Sequence, residues 1–448
     1  MPQASFKSVE AELTLEELPC TSAIAMSHDR MLEEIGLKNA SPRSPSAGGD
    51  KNHNTTLNNN DADSDCYTGP TWTRTGLGGY PMKLTTTRGG ERQSALAAFV
   101  KPVKTMPNLK VKDDATVTRV IIEGERAVGV EIVESSPRRW GGRGTRVRQV
   151  RLTKERAEIF VCCGAFRSPK LLMLSGVGPK EHLKDKGVSV LVDLPHIDEN
   201  LQDHRIAASS KTAPKMPSSS PPTTVVVGLL CSDGGSVSQT LAYCICMLLT
   251  QPGLLGTARR AAVHALCWLT PIRRALRNSR IRTVVFTMIK NKGTVRLASG
   301  TDPSTPPLID PGYLSHPQDR QAACEVWRLA RRAKETPTGK AICGIELTLG
   351  KKYNFGEDDE SFLGFVRDNR LSYFHLVGTC RRRKGVEDSV VSSDNLRVHG
   401  VSGLRVADAS VAPHIPATPT QTMCMMIGDR AAAIALGDRF GEDQVQVR

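Results

Sequence analysis

Residues 159–179 read IFVCCGAFRSPKLLMLSGVGP, and the order of residue types in this stretch decides the fold class. Ile159 to Cys163 form a near-continuous apolar run. That is the pattern of a strand buried on both faces, with the thiols of Cys162 and Cys163 inside. Gly164 supplies a turn. A helix is then expected from Ser168 to Leu174, with Pro169 in its first turn, where a missing N–H costs nothing. Strand, glycine turn and helix in that order are the local grammar of an α/β nucleotide-binding sheet.

The flanking sequence extends this pattern. Upstream, a helix is expected from Gln93, and NLKVKDDATVTRVIIEGERAVGVEIV (108–133) alternates as strands do. Its turn residues Gly124 and Glu125 predict a hairpin. More strand is expected before Ile159. Ser41 to Asp65 is too polar to repay its ordering entropy and reads as a disordered loop. Ala23 to Leu37 reads as an amphipathic segment. Downstream, the proline-rich stretch Ser209 to Pro222 reads as a loop between domains, followed by a helical section through Arg277. Strands are expected around Val284 and Val295, and a helix from Ala322 to Glu335. Further strands are expected near Leu396 and Leu404, with a last helix from Thr420 to Ala435.

Composition narrows the class. The chain has 448 residues, 39% hydrophobic and 24% charged, which fits a globular protein with room for two or three domains. Its formal net charge of +14 includes runs at Arg138 to Arg151 and Arg273 to Arg282, without any zinc spacing or aromatic RNA-binding motif beside them. They read as solvated faces, and no nucleic-acid partner is expected. Twelve cysteines lack the spacing of a disulfide framework or a zinc site, so no metal is expected. The first twenty residues do not read as a signal peptide. The apolar stretch LAYCICMLL (241–249) is too short to span a bilayer, so the expectation is a soluble, intracellular protein with no membrane partner. Oligomeric state has no signature here.

Several ordered blocks then add up. GAFRSPKLLMLSGVGPKEHLKDKGVSVLVDLPHIDENLQDH (164–204) resembles the second signature of the glucose–methanol–choline (GMC) oxidoreductases. KGTVRLASGTDPSTPPLIDPGYLSHPQDRQA from Lys292, FHLVGTC (374–380) and DNLRVHGVSGLRVADASVAPHIPATPTQTMCMMIGDRAA (394–432) resemble that family's C-terminal half, in the same order. The resemblance covers most of the chain from about Gly76, apart from 206–282.

The resemblance implies an α/β fold. A partial FAD-binding, Rossmann-like domain would be built from discontinuous segments, 76–204 and 374–437, beside an α+β substrate domain with an antiparallel sheet at 283–373. Residues 205–282 would be a variable insert and 1–75 a poorly ordered segment. The implied activity is FAD-dependent oxidation of the CH–OH group of a small-molecule alcohol. In the family, the histidine of the H-x-V-G-T block faces the flavin and removes the hydroxyl proton. That position is His375, and a neutral imidazole suits the task. Gly164, Ala165, Asp408 and Ala409 match turns that meet the flavin, and Val117 matches the residue at the adenine end. Pro419 falls at the family's second active-site position, followed by Thr420 and Gln421 at a helix N-terminus.

The sequence also departs from the family. Pro419 has no side-chain donor. His196 and Asp198 stand where glycines are common, and Arg381 to Lys384 replace a short turn. His204 and His399 read as structural. No strand, G-x-G-x-x-G and helix unit for the FAD diphosphate is found, and the chain reads as beginning after it. The alternative expectation is therefore a GMC-derived binding protein without catalysis.

Overall fold

The computed structural model describes residues 94–137, 143–212 except 155, 279–342 except 287–288, 359–368 and 371–440 except 417–418. It also describes short pieces at 16–17, 84–85, 87–88, 91–92, 224–226 and 229–232, and single residues 9, 30 and 34. The readings of 41–65, of the helical section before Arg277, and of most of 23–37 lie outside these.

Strands β1 (Ala115–Glu123), β2 (Arg126–Pro137) and β3 (Arg143–Arg151) form an antiparallel sheet. The β1–β2 turn falls where the sequence placed it, with Gly124 at φ +61°. Three arginines of this sheet pair with glutamates: Arg119 meets Glu131 at 2.9 Å, Arg148 meets Glu134 at 3.4 Å and Arg151 meets Glu123 at 2.6 Å. Arg148 and Arg151 of the basic run are thus paired across strands.

Next come β4 (Ile159–Val161) and α1 (Gly164–Leu174). Then β5 (Arg205–Thr212), β6 (Thr224–Val226), β7 (Leu229–Ser232), β8 (Ser279–Phe286) and β9 (Leu371–Ser372) form an antiparallel five-stranded sheet in the order β6-β7-β8-β5-β9. Helix α2 (Pro317–Glu335) starts at its proline, and the His316 ring accepts the Gln318 N–H as a cap. It begins five residues before the expected Ala322, because His316-Pro317 is the stronger start signal. Strand β10 (Leu404–Val406) and the closing helix α3 (Gln421–Phe440) complete the described chain.

Strands β4 and β10 pair in parallel, although they are separated by more than 240 residues. Around them lies a core of Val161, Leu172, Met173, Leu404 and Val406, all at most 3% exposed. Arg405 is fully buried between them. Glu158 accepts from it twice, at 3.1 and 3.0 Å, and the Asn395 carbonyl accepts as well. A buried guanidinium is tolerated only when paired in this way.

The structure corrects four local expectations. Only Ile159–Val161 is strand, and Cys162 and Cys163 are exposed residues rather than core thiols. Residues 209–212 continue β5 instead of opening a loop. Leu396 itself, at φ +58°, lies outside any strand, and its neighbours Arg397 and Val398 form only isolated β-bridges with Arg405 and Val391. Helix α1 begins at Gly164, so Pro169 lies inside it and not in its first turn. Proline at that place denies a hydrogen bond to the carbonyl four residues earlier, that of Ala165. The Thr379 hydroxyl donates to that carbonyl at 2.7 Å. A break in one helix is thereby filled from a segment 214 residues away.

Asp198 shows the cost of replacing glycine. Its φ is +86°, a left-handed conformation that costs an L-residue about 1–3 kcal/mol. Its side chain is 0% exposed and neither carboxylate oxygen has a hydrogen-bond partner. Arg296 approaches at 3.6 Å. Burial pushes the Asp198 carboxyl up to about 7, Arg296 draws it back down, and neighbouring Glu199 adds to the rise.

Two variants test these points. Thr379→Val leaves the Ala165 carbonyl buried and unsatisfied, so it lowers stability by about 1–3 kcal/mol, and Thr379→Ser, which keeps the donor, restores most of it. Chemical denaturation measures both. A carboxyl whose folded pKa is raised adds stability below its unfolded pKa, near 4, and loses it as pH climbs through about 7. Asp198→Gly therefore stabilises the protein, and by more at pH 8 than at pH 5. Equal gains in melting temperature at the two pH values would rule out the charge contribution.

Candidate active site

The site is assembled on the segment Asn200 to His204, which is buried throughout and begins at Asn200 with a left-handed φ of +62°. Gln202 exchanges both backbone hydrogen bonds with Val377, at 3.1 and 2.9 Å. Its side chain donates to the Pro413 carbonyl at 2.9 Å and accepts from Ile415 N–H at 3.2 Å. Asn200 donates to the carbonyls of Gly378 (3.2 Å) and Pro413 (3.1 Å). Gly378 has φ +97°, and a Cβ there would stand 2.4 Å from the Asn200 carbonyl oxygen. Only glycine lets the two segments come this close.

His375 sits at the end of this ladder, half-buried. Its backbone N–H donates to the Asp203 carboxylate at 2.9 Å. That carboxylate also accepts from the Tyr313 and Ser372 hydroxyls, each at 2.5 Å. Burial pushes the Asp203 carboxyl up while these donors draw it down. Burial also raises the Tyr313 phenol, which keeps its proton to donate. The His375 ring meets His204, Nδ1 to Nδ1, at 2.9 Å. Tyr373 packs against it edge-on, with ring centroids 4.6 Å apart. Burial depresses the His375 pKa below the ordinary histidine value, so the ring is neutral at neutral pH.

The other candidate residues gather beside the same block. Gly378 N–H donates to the Ala409 carbonyl at 3.2 Å, and Cys380 N–H to that of Ser410 at 2.9 Å. Asp408 accepts from Gly164 N–H at 2.9 Å and from Ser168 Oγ at 2.5 Å, closing the β4–β10 junction over the start of α1. Ala165 is tied in by Thr379. Val377, Ala409 and Ala412 pack with Met423 and Cys424 of α3, one turn beyond Thr420 and Gln421. Thr420 is buried, Gln421 is partly buried and Pro419 is exposed. Val117 stands apart from this junction in the described contacts: it is 38% exposed, and its strand is tied to the rest where Val120 N–H donates to Ser175 Oγ, beyond the far end of α1.

Against known proteins, the GMC oxidoreductase family models match residues 59–206 and 290–428. The chain is 30% identical over 367 residues to the oxygen-dependent choline dehydrogenase of Rhizobium meliloti (strain 1021), covering 80% of this chain and 64% of that protein. The chain belongs to the GMC oxidoreductase family. It thus spans less than two thirds of the length of the curated relatives it matches. Its fold is shared with pyridoxine 4-oxidase from Mesorbium loti, at a TM-score of 0.64 and 22% identity, covering 93% of this chain and 70% of that one. It is shared also with an FAD-dependent oxidoreductase from Chaetomium thermophilum, at a TM-score of 0.62 and 19% identity, covering 95% and 73%.

The cofactor of GMC oxidoreductases is FAD. Of the residues matched to its flavin end, Gly164 has open space beside it, since a Cβ built there would meet nothing within 4 Å. The diphosphate does not fit at the start of α1. The positive end of that helix already holds the Asp408 carboxylate, which would repel phosphate. Among the described residues no helix is long and apolar enough to cross a membrane, and no cluster of His, Cys, Asp or Glu could hold a metal ion.

Sequence reasoning missed His204, Asp203, Tyr313 and Thr379 as participants. The NLQDH run was the available signal: four polar residues around Leu201 that are buried need polar partners, and here these include the groups around His375. The four-cation run is likewise explained in part. Arg381 donates to the Asp388 carbonyl at 2.7 Å and contacts His196 at 3.1 Å, and Arg383 pairs with Asp388 at 3.1 Å.

Because the sequence holds no strand, G-x-G-x-x-G and helix unit for the diphosphate, the 448-residue chain purified with added FAD and then desalted is expected to show no stoichiometric flavin band. Each charge-assisted hydrogen bond absent at the diphosphate forfeits roughly 1.5–3 kcal/mol. A visible spectrum after the column checks this.

Proposed function

We propose that this chain provides the substrate-side and flavin-ring-side parts of an FAD-dependent oxidoreductase acting on the CH–OH group of a small-molecule alcohol. The observation that carries the reading is the placement of half-buried His375, held by Asp203 and His204 on a block bonded directly to the Ala409–Ser410 turn. On this reading β4, α1 and β10 are part of a Rossmann-like FAD-binding layer, and the five-stranded antiparallel sheet belongs to the substrate domain.

His375 is the base. A neutral imidazole near its working pKa can accept the hydroxyl proton as the alcohol carbon is oxidised. Its Nδ1 is engaged with His204, so the proton is taken at Nε2. Asp203 and Tyr373 hold the backbone and the ring, which limits the entropy lost in reaching the reactive geometry. FAD, when bound, supplies the hydride acceptor. Gly164, Ala165, Ala409, Pro419, Thr420 and Gln421 would line its ring end, with Val117 toward the adenine end. Choline and pyridoxine, named for relatives with the family or the fold, are the first alcohols to try.

A second reading, a GMC-derived binding protein without turnover, is favoured by the missing G-x-G-x-x-G unit, by Pro419 at the second active-site position and by the cation run Arg381 to Lys384. Rapid mixing separates the two. With saturating FAD and an alcohol panel under anaerobic conditions, the catalytic reading expects flavin bleaching, slowed on the order of a hundredfold or more in His375→Ala. No bleaching with any alcohol supports the binding reading, and equal rates in both proteins remove His375 as the base.

A further inference from the structure

We propose that His204 is a positioning residue that holds His375 in the tautomer bearing its hydrogen on Nδ1. The inference rests on the reading of His375 as the base and deepens it. Two imidazoles 2.9 Å apart, Nδ1 to Nδ1, are joined by a single hydrogen, so one ring donates and the other accepts. A neutral ring carries one hydrogen. If His375 donates from Nδ1, its Nε2 keeps the lone pair that a base requires. If His204 donates instead, the hydrogen of His375 sits on Nε2 and that atom cannot take a proton. The base role therefore assigns the acceptor role to His204. Which ring nitrogen bears the hydrogen is set by the partner of the other, and here the partner is an imidazole.

The surroundings fix His204 in place. It is 1% exposed at the start of β5, and its carbonyl accepts from Tyr373 N–H at 3.0 Å, two residues before His375. Asp203, next to it, holds the His375 N–H, the Tyr313 hydroxyl and the Ser372 hydroxyl. Arg205, on its other side, donates to the Val366 carbonyl and lies over the Tyr313 ring at 4.7 Å. Residues 203 and 204 thus set both the backbone and the ring of His375. The two rings meet nearly at right angles, 74°, with centroids 5.1 Å apart, which aims one nitrogen at the other without stacking.

The test reads the tautomer directly and needs neither cofactor nor turnover. The full chain is labelled with 15N-histidine, and long-range 1H–15N correlations are recorded above the pKa of His375, its signals assigned by loss in His375→Ala. The expected spectrum has a protonated, pyrrole-type Nδ1 and a pyridine-type Nε2 on His375. His204→Phe removes the acceptor and moves His375 toward the Nε2–H form, whereas His204→Asn, whose carbonyl can accept in place of Nδ1, retains the wild-type pattern. Unchanged His399 signals certify that each variant is folded. If His204→Phe fails to fold, the wild-type and His204→Asn spectra decide. A pyridine-type Nδ1 on His375 in the wild type, or an unchanged His375 pattern in folded His204→Phe, overturns the proposal. Flavin reduction in His375→Ala separates this from the base reading: slowed reduction beside an Nε2–H His375 sinks only the role of His204, whereas unaltered reduction sinks the base.

Discussion

The hydrogen bond from Thr379 to the Ala165 carbonyl is the constraint on which the rest of the site depends. Pro169 breaks the helical ladder of α1 at its second turn, and a buried carbonyl cannot stay unsatisfied cheaply. The donor comes from the segment that carries His375. The defect in one element and the donor in the other therefore act as a key and its lock. Only the arrangement that brings 374–380 against the start of α1 satisfies both, and that arrangement also sets Gly378 against Ala409.

Asn200 to His204 extends the same logic. A segment this polar is buried at low cost only where its groups find partners, and a buried hydrogen-bonded network selects one packing out of many. Asn200 and Gln202 spend their amides on the carbonyls of Gly378 and Pro413, which joins the 375–380 and 408–415 blocks through a third strand of chain. The site is thus a product of hydrogen-bond satisfaction more than of apolar packing, although the core beneath it is conventional.

Two features run against economy. Asp198 holds a glycine-like backbone with a buried carboxylate, between the backbone bonds it makes to Thr379 and Val295. Asp408 places its charge on the helix terminus where an anionic ligand would otherwise gain most. The first costs stability and the second restricts what can bind. Both lie within a few residues of the junction, where natural proteins most often hold strain.

Much was legible in the sequence itself. Alternation and turn chemistry marked β1 and β2, and the apolar run followed by glycine marked β4 and the approach to α1, because these signals depend on neighbours a few residues apart. The resemblance of ordered blocks named the residues Gly164, Ala165, Asp408, Ala409 and His375, and the structure brings them together. It left Val117 apart from that junction. What the sequence could not carry was partnership at a distance. Pro169 read as a benign first-turn proline because the donor that lets it lie inside the helix is Thr379. His204 read as structural because its relation to His375 exists only across 171 residues of chain. Cys162 and Cys163 read as core because hydrophobicity is a property of the residue, whereas burial depends on what packs against it. Local steric preference is written in the chain, but satisfaction of buried polar groups is decided only when distant segments meet.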